Sequence, residues 1–416
     1  MKIYEKNNNY TLYEGKMQDV LSQLEPNSID SIVTDPPYEL NFMGKGWDNS
    51  GVAFQKDTWK HCYDVLKPGG YLIAFGGSRT FHRIACAIED AGFEIRDTIM
   101  WLYGSGFPKS MNIGLAIDKK NGVDNRTGNI VKGVGSNNTS AMKNGLGESQ
   151  EFDSEYEERI ATNEWAGWGT CLKPAYEPII IARKPFKGSL IDNVIENGVG
   201  GLNIDECRVE FENTPNPATN PLYRKQANYK LPKKGQQSNG AVSFSSSKND
   251  VNELGRFPAN VILTYDETDF EEVCGGMPNE KGNSASRYFY CAKASKKDRD
   301  EGLDGFQEKK IYGDDMKWGY GNNNGDNFGD RVANVSRKNI HPCVKPTELM
   351  QYIIRLVTPK NGTVLDPFMG SGSTGKAAMY ENKNYYFIGV EMTQEYLPIA
   401  KARIDYAINN KEITLF

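Results

Sequence analysis

The segment Asp35-Pro36-Pro37-Tyr38 places two hydrogen-bond acceptors and a flat ring next to one another. Neither proline has a backbone N–H, so no donor from them competes for the Asp35 carboxylate or the Pro36 carbonyl. A flat group with two N–H donors would fit these acceptors, and the exocyclic amine of adenine or cytosine is such a group. Acceptors that draw its hydrogens out of the ring plane free the nitrogen lone pair and make it a nucleophile.

The residues before this segment predict how it is positioned. Ile29 to Thr34 form a β-branched, apolar run that predicts a buried strand, and the prolines end it at Asp35. Tyr38 would then stack on a base extruded from a nucleic acid. An ordinary turn after a strand is the other interpretation of Asp-Pro-Pro, and this segment alone leaves both open.

A second constellation lies near the end of the chain. Its pattern predicts a strand, a tight loop, a helix and another strand, over Thr363–Leu365, Asp366–Gly372, Ser373–Glu381 and Tyr385–Val390. Glu391 follows the last strand, nineteen residues after Gly372. That interval is typical of an acid that binds ribose hydroxyls.

The glycines of this loop, Gly370, Gly372 and Gly375, also satisfy the GxGxxG pattern of dinucleotide-binding folds. In those folds the strand runs directly into the first glycine and a helix N-terminus meets a pyrophosphate. Here Asp366 to Met369 intervene, and a carboxylate would repel phosphate. S-adenosylmethionine suits such a loop better, because it carries a sulfonium, an amine, a ribose and an adenine but no phosphate.

Strands and helices alternate in the first hundred residues. Helices are predicted over 53–66 and 79–91, and strands over 71–75 and 95–102. Residues 174–183 predict one more strand of the same sheet, and a helix with Leu349, Ile353 and Leu356 on one face follows Pro346. The expected fold is α/β, with a doubly wound, mostly parallel sheet and helices on both faces.

Composition restricts the partners. The 416 residues include 49 Lys and Arg against 54 Asp and Glu, a net charge of −5, so any contact with nucleic acid must be local. Seven scattered cysteines form no CxxC pair, which predicts neither a metal site nor a disulfide framework. Apolar runs are only strand-sized and the first residues lack a signal core, so we expect no membrane span and a cytoplasmic location.

Positive charge concentrates between Leu222 and Phe257, inside a long insertion over residues 187–340. Seven basic residues stand there against Asp250 and Glu253, with aromatic residues interleaved. That combination suits a phosphate backbone with bases stacking nearby. A solvated loop with incidental charge is the alternative.

With both constellations in hand, the chain resembles the DNA amino-methyltransferases, which methylate N6 of adenine or N4 of cytosine. The resemblance rests on Asp35-Pro36-Pro37-Tyr38 and on Phe368-x-Gly370-x-Gly372. Three further segments strengthen it, His341–Pro346, Lys173–Pro178 and Arg287–Ser295. The catalytic motif precedes the cofactor motif with a long insertion between them, an order similar to the β group of the family.

The resemblance implies a Rossmann-like S-adenosylmethionine-dependent fold divided along the chain. Residues 1–110 would form the catalytic half and 340–416 the cofactor-binding half. Residues 170–186 would form a strand with which the chain re-enters the catalytic domain. Residues 111–169 would be an insertion, and 187–339 a target-recognition and DNA-binding insertion.

The resemblance also implies roles for single residues. Asp35 and Pro36, followed by Pro37, would hold the target amine, with Tyr38 stacked on the base. The cofactor-binding residues would be Asp366, Phe368, Gly370, Gly372, Ser373, Glu391, Lys345 and Pro346. Among these, Glu391 would bind the ribose, and Lys345 with Pro346 would line the methionine side.

The implied activity is site-specific methylation of adenine N6 in double-stranded DNA by base flipping, without a metal. Asp at the first motif position is typical of adenine enzymes, whereas Ser is typical of cytosine enzymes and Asn of protein glutamine methyltransferases. N4-cytosine methylation is the nearest alternative, and a catalytically inactive DNA-binding module is another. A homodimer and a cognate restriction enzyme stay open as partners.

Overall fold

The computed structural model of the protein describes residues 1–40, 46–103, 110–132, 155–209, 256–264, 289–290, 294–310 and 336–410. Most of the basic segment 222–257 lies outside these ranges. The assignment of that segment to DNA binding, and the domain boundaries given above, stay predictions.

A ten-stranded sheet forms the centre of the described chain. In spatial order its strands are β1 (Lys2–Lys6), β2 (Tyr10–Glu14), β14 (Tyr386–Glu391), β13 (Thr363–Asp366), β3 (Ile29–Thr34), β4 (Leu66–Phe75), β8 (Tyr176–Arg183), β5 (Glu94–Tyr103), β9 (Val261–Thr264) and β10 (Phe289–Tyr290). Strands from both ends of the sequence therefore share one sheet.

Most neighbouring strands of this sheet are parallel, as expected. Two strands run the other way, because β1 is antiparallel to β2 and β8 is antiparallel to both β4 and β5. All six residues of β3 are buried, which is typical of a parallel strand covered on both faces. The mixed α/β class with a mostly parallel sheet is confirmed.

Helices cover both faces of the sheet. The helices of the described residues are α1 (Met17–Leu21), α2 (Lys56–Val65), α3 (Phe81–Asp90), α4 (Ile113–Lys120), α5 (Leu190–Asn197), α6 (Lys296–Asp300), α7 (Thr347–Val357), α8 (Ser373–Tyr380) and α9 (Leu397–Asn409). One hydrophobic core packs α7, α8 and α9 on one face, and a second packs α1, α2 and α3 on the other. The three apolar residues predicted to share a face of α7 are all buried.

Two helices start later than their sequence pattern predicts. A short 3-10 turn, Val52–Phe54, precedes α2, and Thr80 keeps a non-helical conformation before α3. Leu66, predicted as the last helical residue, instead pairs with Ile29 and begins β4. Pairing with a neighbouring strand outweighs helix propensity there.

A small unit lies between β5 and β8. It contains α4 and the antiparallel pair β6 (Arg126–Lys132) and β7 (Glu155–Arg159). Another short pair, β11 (Lys309–Lys310) and β12 (Ser336–Arg337), precedes α7. No helix in the described part of the chain is long and apolar enough to cross a bilayer.

Candidate functional site

The two sequence motifs meet at one edge of the sheet. Because β3, β13 and β14 are parallel, Asp35, the loop after Asp366 and Glu391 all lie at their carboxyl ends. The Thr34 hydroxyl donates a 2.7 Å hydrogen bond to Asp366 Oδ1 and joins the motifs directly. Ligands of open α/β sheets bind at this edge.

The two carboxylate oxygens of Asp35 lie in different environments. Lys345 Nζ donates to Oδ2 at 2.8 Å, and the lysine side chain is only 9% exposed. Oδ1 is buried and has no hydrogen-bond partner among the described residues. A buried acceptor without a partner is costly and rare, so this oxygen marks a place for an incoming donor.

Glu177 lies in the same cluster as Asp35, Tyr38 and Lys345, on a strand that runs antiparallel to its neighbours. Since β8 is antiparallel, it begins at the edge where its parallel neighbours end, and Glu177 is its second residue. The Tyr38 hydroxyl donates to Glu177 Oε2 at 2.8 Å, and Lys345 Nζ lies 3.3 Å from the same oxygen. Lys345 also donates to the Tyr38 hydroxyl at 3.0 Å. One ammonium therefore contacts two carboxylates and a phenol.

The electrostatics follow from this arrangement. Burial raises the pKa of Asp35 above its usual value, while Lys345 opposes the rise and Glu177 adds to it. Burial acts to lower the pKa of Lys345, but Asp35 and Glu177 outweigh burial and hold that pKa above its usual value. Burial and the same two carboxylates raise the pKa of Tyr38, so its hydroxyl stays protonated.

Asp366 organises the glycine-rich loop from within. Its carboxylate is 2% exposed and accepts hydrogen bonds from Thr34, from the Phe368 backbone N–H at 3.0 Å and from the Thr374 hydroxyl at 2.6 Å. Burial raises its pKa to about 6, although these hydrogen bonds act in the opposite direction. The carboxylate thus fixes the turn between β13 and α8.

The two glycines of the loop occupy places that a side chain cannot. Gly370 and Gly372 have φ of 54° and 77°, in the left-handed region that favours glycine. A Cβ on Gly370 would stand 2.7 Å from His341 Nε2, and one on Gly372 would stand 3.0 Å from Ala400 Cα. The loop is therefore a tight, backbone-lined cradle.

Glu391 faces this cradle. The Gly370 backbone N–H donates to its Oε2 at 2.9 Å and the Thr393 backbone N–H to its Oε1 at 2.6 Å. A carboxylate has about four acceptor positions, so Glu391 can accept further hydrogen bonds. The half-buried Phe368 ring packs edge-on against buried Trp59, with ring centroids 6.4 Å apart.

The structure locates each predicted residue as follows. Asp35, Pro36, Pro37 and Tyr38 lie at the end of β3, and Lys345 contacts the first and last of them. Asp366, Phe368, Gly370, Gly372, Ser373 and Glu391 form or border the loop of the second motif. Pro346 directly precedes α7. The assigned roles stay predictions.

The sequence alone indicates no role for Glu177 or Arg403. Arg403 is fully buried in α9, and its guanidinium donates at 2.7 Å to the Ser371 carbonyl and contacts the Ser373 hydroxyl at 3.3 Å. An arginine at an otherwise apolar helix position was the available signal. In the described ranges, no group of three or more His, Cys, Asp or Glu could hold a metal ion.

Comparison with known proteins assigns the family. A family model described as DNA methylase, for N6 and N4 amino-methyltransferases, matches residues 29–402. The chain belongs to this DNA methylase family.

Individual relatives match this chain at low sequence identity or over short segments. Type II methyltransferase M.HindIII of Haemophilus influenzae is 22% identical over 225 residues, 44% of this chain and 61% of that protein. Type II methyltransferase M.BglI of Bacillus subtilis is 39% identical over 83 residues, 20% of this chain and 23% of that protein. The chain therefore spans less than two thirds of the length of these relatives. The structure of the cytosine-N4-specific PvuII DNA methyltransferase aligns with a TM-score of 0.43 and 14% identity, over 99% of this chain and 96% of that one.

Proposed function

We propose that the protein is a site-specific DNA methyltransferase that methylates N6 of adenine after flipping the target nucleotide out of the duplex. S-adenosylmethionine would be the methyl donor. The observation that carries this proposal is the buried Asp35 Oδ1, which among the described residues lacks a donor. It lies at the carboxyl end of β3, beside the glycine-rich loop.

We assign the target amine to this oxygen. One amine hydrogen would bond to Asp35 Oδ1 and the other to the Pro36 carbonyl. These bonds draw the nitrogen out of conjugation with the ring and make its lone pair available. The nitrogen would bond to the methyl carbon as the carbon–sulfur bond breaks, and the sulfur would leave as a neutral thioether. The methylated nitrogen carries a positive charge and is strongly acidic, so its proton passes to water without a strong base.

Asp35 can act in this way only as a carboxylate. A protonated carboxyl would present a hydroxyl donor toward an amine that itself donates. Burial favours the protonated form, and Lys345 on Oδ2 opposes it. We therefore propose that Lys345 keeps Asp35 ionised through Oδ2 and leaves Oδ1 available to accept a hydrogen bond. This role differs from the lining of the methionine side that the family resemblance implies.

The residues of the second motif fit S-adenosylmethionine. Two carboxylates, Asp366 and Glu391, lie at the cradle and disfavour a phosphate-bearing ligand. Glu391 has acceptor capacity for ribose hydroxyls, Phe368 offers an apolar ring, and Gly370 and Gly372 allow close approach of the backbone. S-adenosylmethionine, when bound, supplies an electrophilic methyl group on its sulfonium.

Adenine is favoured over cytosine because Asp35 stands where adenine enzymes of the family typically carry Asp. N4-cytosine methylation is the second candidate, since the same pair of acceptors would serve that amine. Double-stranded DNA would be the substrate, and the type II methyltransferase relatives extend the proposal to a restriction-modification pair. A homodimer, a cytoplasmic location and the absence of a metal remain part of the prediction.

The direct test is product analysis. The purified protein would be incubated with methyl-labelled S-adenosylmethionine and unmethylated DNA of mixed sequence, and the DNA digested to nucleosides. We expect label in N6-methyl-2′-deoxyadenosine. Label in N4-methyl-2′-deoxycytidine would move the function to the second candidate, and label in neither, with cofactor bound, would contradict DNA methylation by this chain alone.

Asp35→Ala tests the assignment of the site in the same assay. The variant should lose turnover and keep its affinity for S-adenosylmethionine, because Asp35 lies outside the cradle. Near-normal turnover would contradict the role of Asp35 while leaving the product assignment intact.

A further inference from the structure

Two tryptophans are exposed on the small unit between β5 and β8. Trp165 is 40% exposed and Trp168 58%, and their rings meet edge to face at 5.1 Å. Leu172, a few residues on, is 92% exposed. We call these three side chains the tryptophan surface. Single exposed apolar residues are common, but an exposed aromatic pair beside a third apolar side chain is typical of an interaction site.

The backbone beneath the rings is held firmly on one side by a buried carboxylate. Asp118 of α4 is 2% exposed and accepts hydrogen bonds from the Thr162 backbone at 2.8 Å and from the Asn163 side chain. Asn163 in turn accepts from the Trp165 backbone N–H at 2.9 Å and donates to the Gly114 carbonyl at 2.9 Å.

The other side of the turn is fastened to the residues before α4. The Ile113 backbone N–H donates to the Trp168 carbonyl at 2.9 Å, and the Ser110 hydroxyl accepts from the Thr170 backbone N–H at 2.9 Å. The turn is thus fixed at both ends while its indole rings remain in solvent. Rings held in place before binding lose little conformational entropy when a partner covers them.

The tryptophan surface belongs to the edge of the sheet that holds the candidate site. The small unit leaves the sheet after Tyr103, at the end of β5, and returns at Tyr176, the start of β8. The Tyr103 backbone N–H donates to the Ala175 carbonyl at 2.9 Å and closes the unit at this edge. Trp168 and Glu177 are nine positions apart in the sequence, a span of at most about 32 Å. One helical turn of DNA is about as long.

We propose that the tryptophan surface binds the DNA beside the flipped nucleotide, with the indole rings packed on nucleobases. Flipping breaks base stacking next to the target, and aromatic side chains can replace that stacking. Lys120 and Lys173 are exposed on the same unit, and we assign them contacts with phosphates. This inference rests on the proposed function, since it takes DNA as the substrate.

The test compares two double variants with wild type. Trp165→Ala with Trp168→Ala removes both rings, and Trp165→Phe with Trp168→Phe keeps aromatic faces. The probe is a short duplex containing the sequence that wild type methylates, mapped beforehand on treated plasmid DNA. We expect the alanine pair to raise Kd and KM for DNA about 5- to 150-fold, the range for losing one stacked base. The phenylalanine pair should stay close to wild type.

Other measurements separate this effect from a structural one. The Kd for S-adenosylmethionine and kcat at saturating DNA should be unchanged in the alanine pair. Ile195→Ala is the matched control, since Ile195 is 79% exposed on α5, which packs near the amino end of β4 at the opposite edge. It should leave every constant unchanged.

The outcomes also separate the two proposals. If wild type methylates DNA and the alanine pair binds the duplex as tightly as wild type, the tryptophan surface does not bind DNA and the proposed function stands. If the alanine pair changes only the oligomeric state, the surface is a protein interface and the inference is overturned. If the wild-type protein methylates no DNA, that result contradicts the proposed function and, with it, this inference.

Discussion

Lys345 Nζ lies 2.8 Å from Asp35 Oδ2, although 310 residues separate the two in the sequence. The lysine lies two residues before α7 and the aspartate directly follows β3, so the contact joins the first motif to the segment that precedes α7. The same ammonium lies 4.9 Å from the centre of the Phe75 ring and 5.2 Å from that of Tyr38. Aromatic faces at this distance stabilise a partly desolvated cation. The site therefore holds a fixed positive charge beside the acceptor proposed for the target amine.

The first prediction concerns Lys345→Met. Loss of the ammonium leaves burial of Asp35 without an opposing cation, so the pKa of Asp35 should rise further. A carboxylate with a higher pKa takes up its proton at a higher pH, so activity should fall earlier as pH decreases. We expect the acid limb of the kcat/KM profile to move to higher pH, with partial recovery of activity under alkaline conditions.

Two variants control that measurement, which covers about pH 5 to pH 10. Lys345→Arg keeps the charge and should keep the acid limb near that of wild type. Lys360→Met removes an exposed lysine at the opposite edge of the sheet and should change nothing. The charged groups around Asp35 are Lys345, Glu177 and Asp366, with Tyr38 protonated. An unshifted acid limb in Lys345→Met would show that Lys345 does not control the charge of Asp35.

Glu177→Gln should act in the opposite direction. Glu177 raises the pKa of Asp35 through its negative charge, so its removal should lower that pKa and move the acid limb to lower pH. The glutamine amide oxygen can still accept the Tyr38 hydroxyl, so the ring should keep its position. If Glu177→Gln and Lys345→Met shift the profile in the same direction, the acid limb does not report Asp35.

The sequence predicts the structure of the two motifs because it depends on residues within each motif. Pro36 and Pro37 end β3 whatever surrounds them, and glycines before a helix fix the loop at Gly370 and Gly372. The contacts of Glu177 could not be predicted in the same way. They depend on β8 running antiparallel to its neighbours, a property of the whole sheet that the apolar pattern of a single strand does not contain.

The contacts of Lys345 are a second example that the sequence does not predict. Its neighbour Pro346 predicted the start of α7 correctly, because proline at a helix start has a local cause. The family resemblance implies that Lys345 lines the methionine side of the cofactor, and that role stays a prediction. The structure adds contacts of its ammonium with Asp35 and Glu177, which the sequence does not indicate. A long, flexible side chain can reach in several directions, and only the packed environment selects one.

Alanine at the loop glycines should weaken cofactor binding. A non-glycine residue in the left-handed region costs about 1–2 kcal/mol, and each Cβ would also meet a neighbour. We expect Gly372→Ala to be the more severe, because its Cβ meets the backbone of Ala400, whereas Gly370→Ala meets the His341 side chain. Calorimetry should show a Kd for S-adenosylmethionine raised by about tenfold or more, equal to about 1.4 kcal/mol.

Gly201→Ala is the control for the glycine variants. A Cβ on Gly201 meets no atom within 4 Å, and that variant should bind S-adenosylmethionine as wild type does. Equal affinity in wild type and in Gly372→Ala would exclude the loop as the cofactor cradle.

The last prediction concerns a buried ion cluster behind the loop. Lys376 of α8 is fully buried and lies 2.7 Å from both Asp298 and Glu301. Asp298 also accepts the Thr347 backbone N–H at 3.0 Å, which ties α6 to the start of α7. Burial acts to raise the pKa of Asp298, but Lys376 and Arg403 outweigh burial and hold that pKa below its usual value.

Asp298→Asn should therefore destabilise the fold in a pH-dependent way. A carboxylate whose pKa is lowered in the folded state stabilises it above the unfolded pKa, and loses that contribution as pH falls through the folded pKa. At neutral pH we expect a loss of roughly 3 kcal/mol in the free energy of unfolding, since Glu301 still pairs with Lys376. The difference from wild type should shrink in acid. Denaturant unfolding across pH measures this, with Asp304→Asn, whose side chain is 95% exposed, as control. A constant difference at every pH would contradict the ion cluster as the cause.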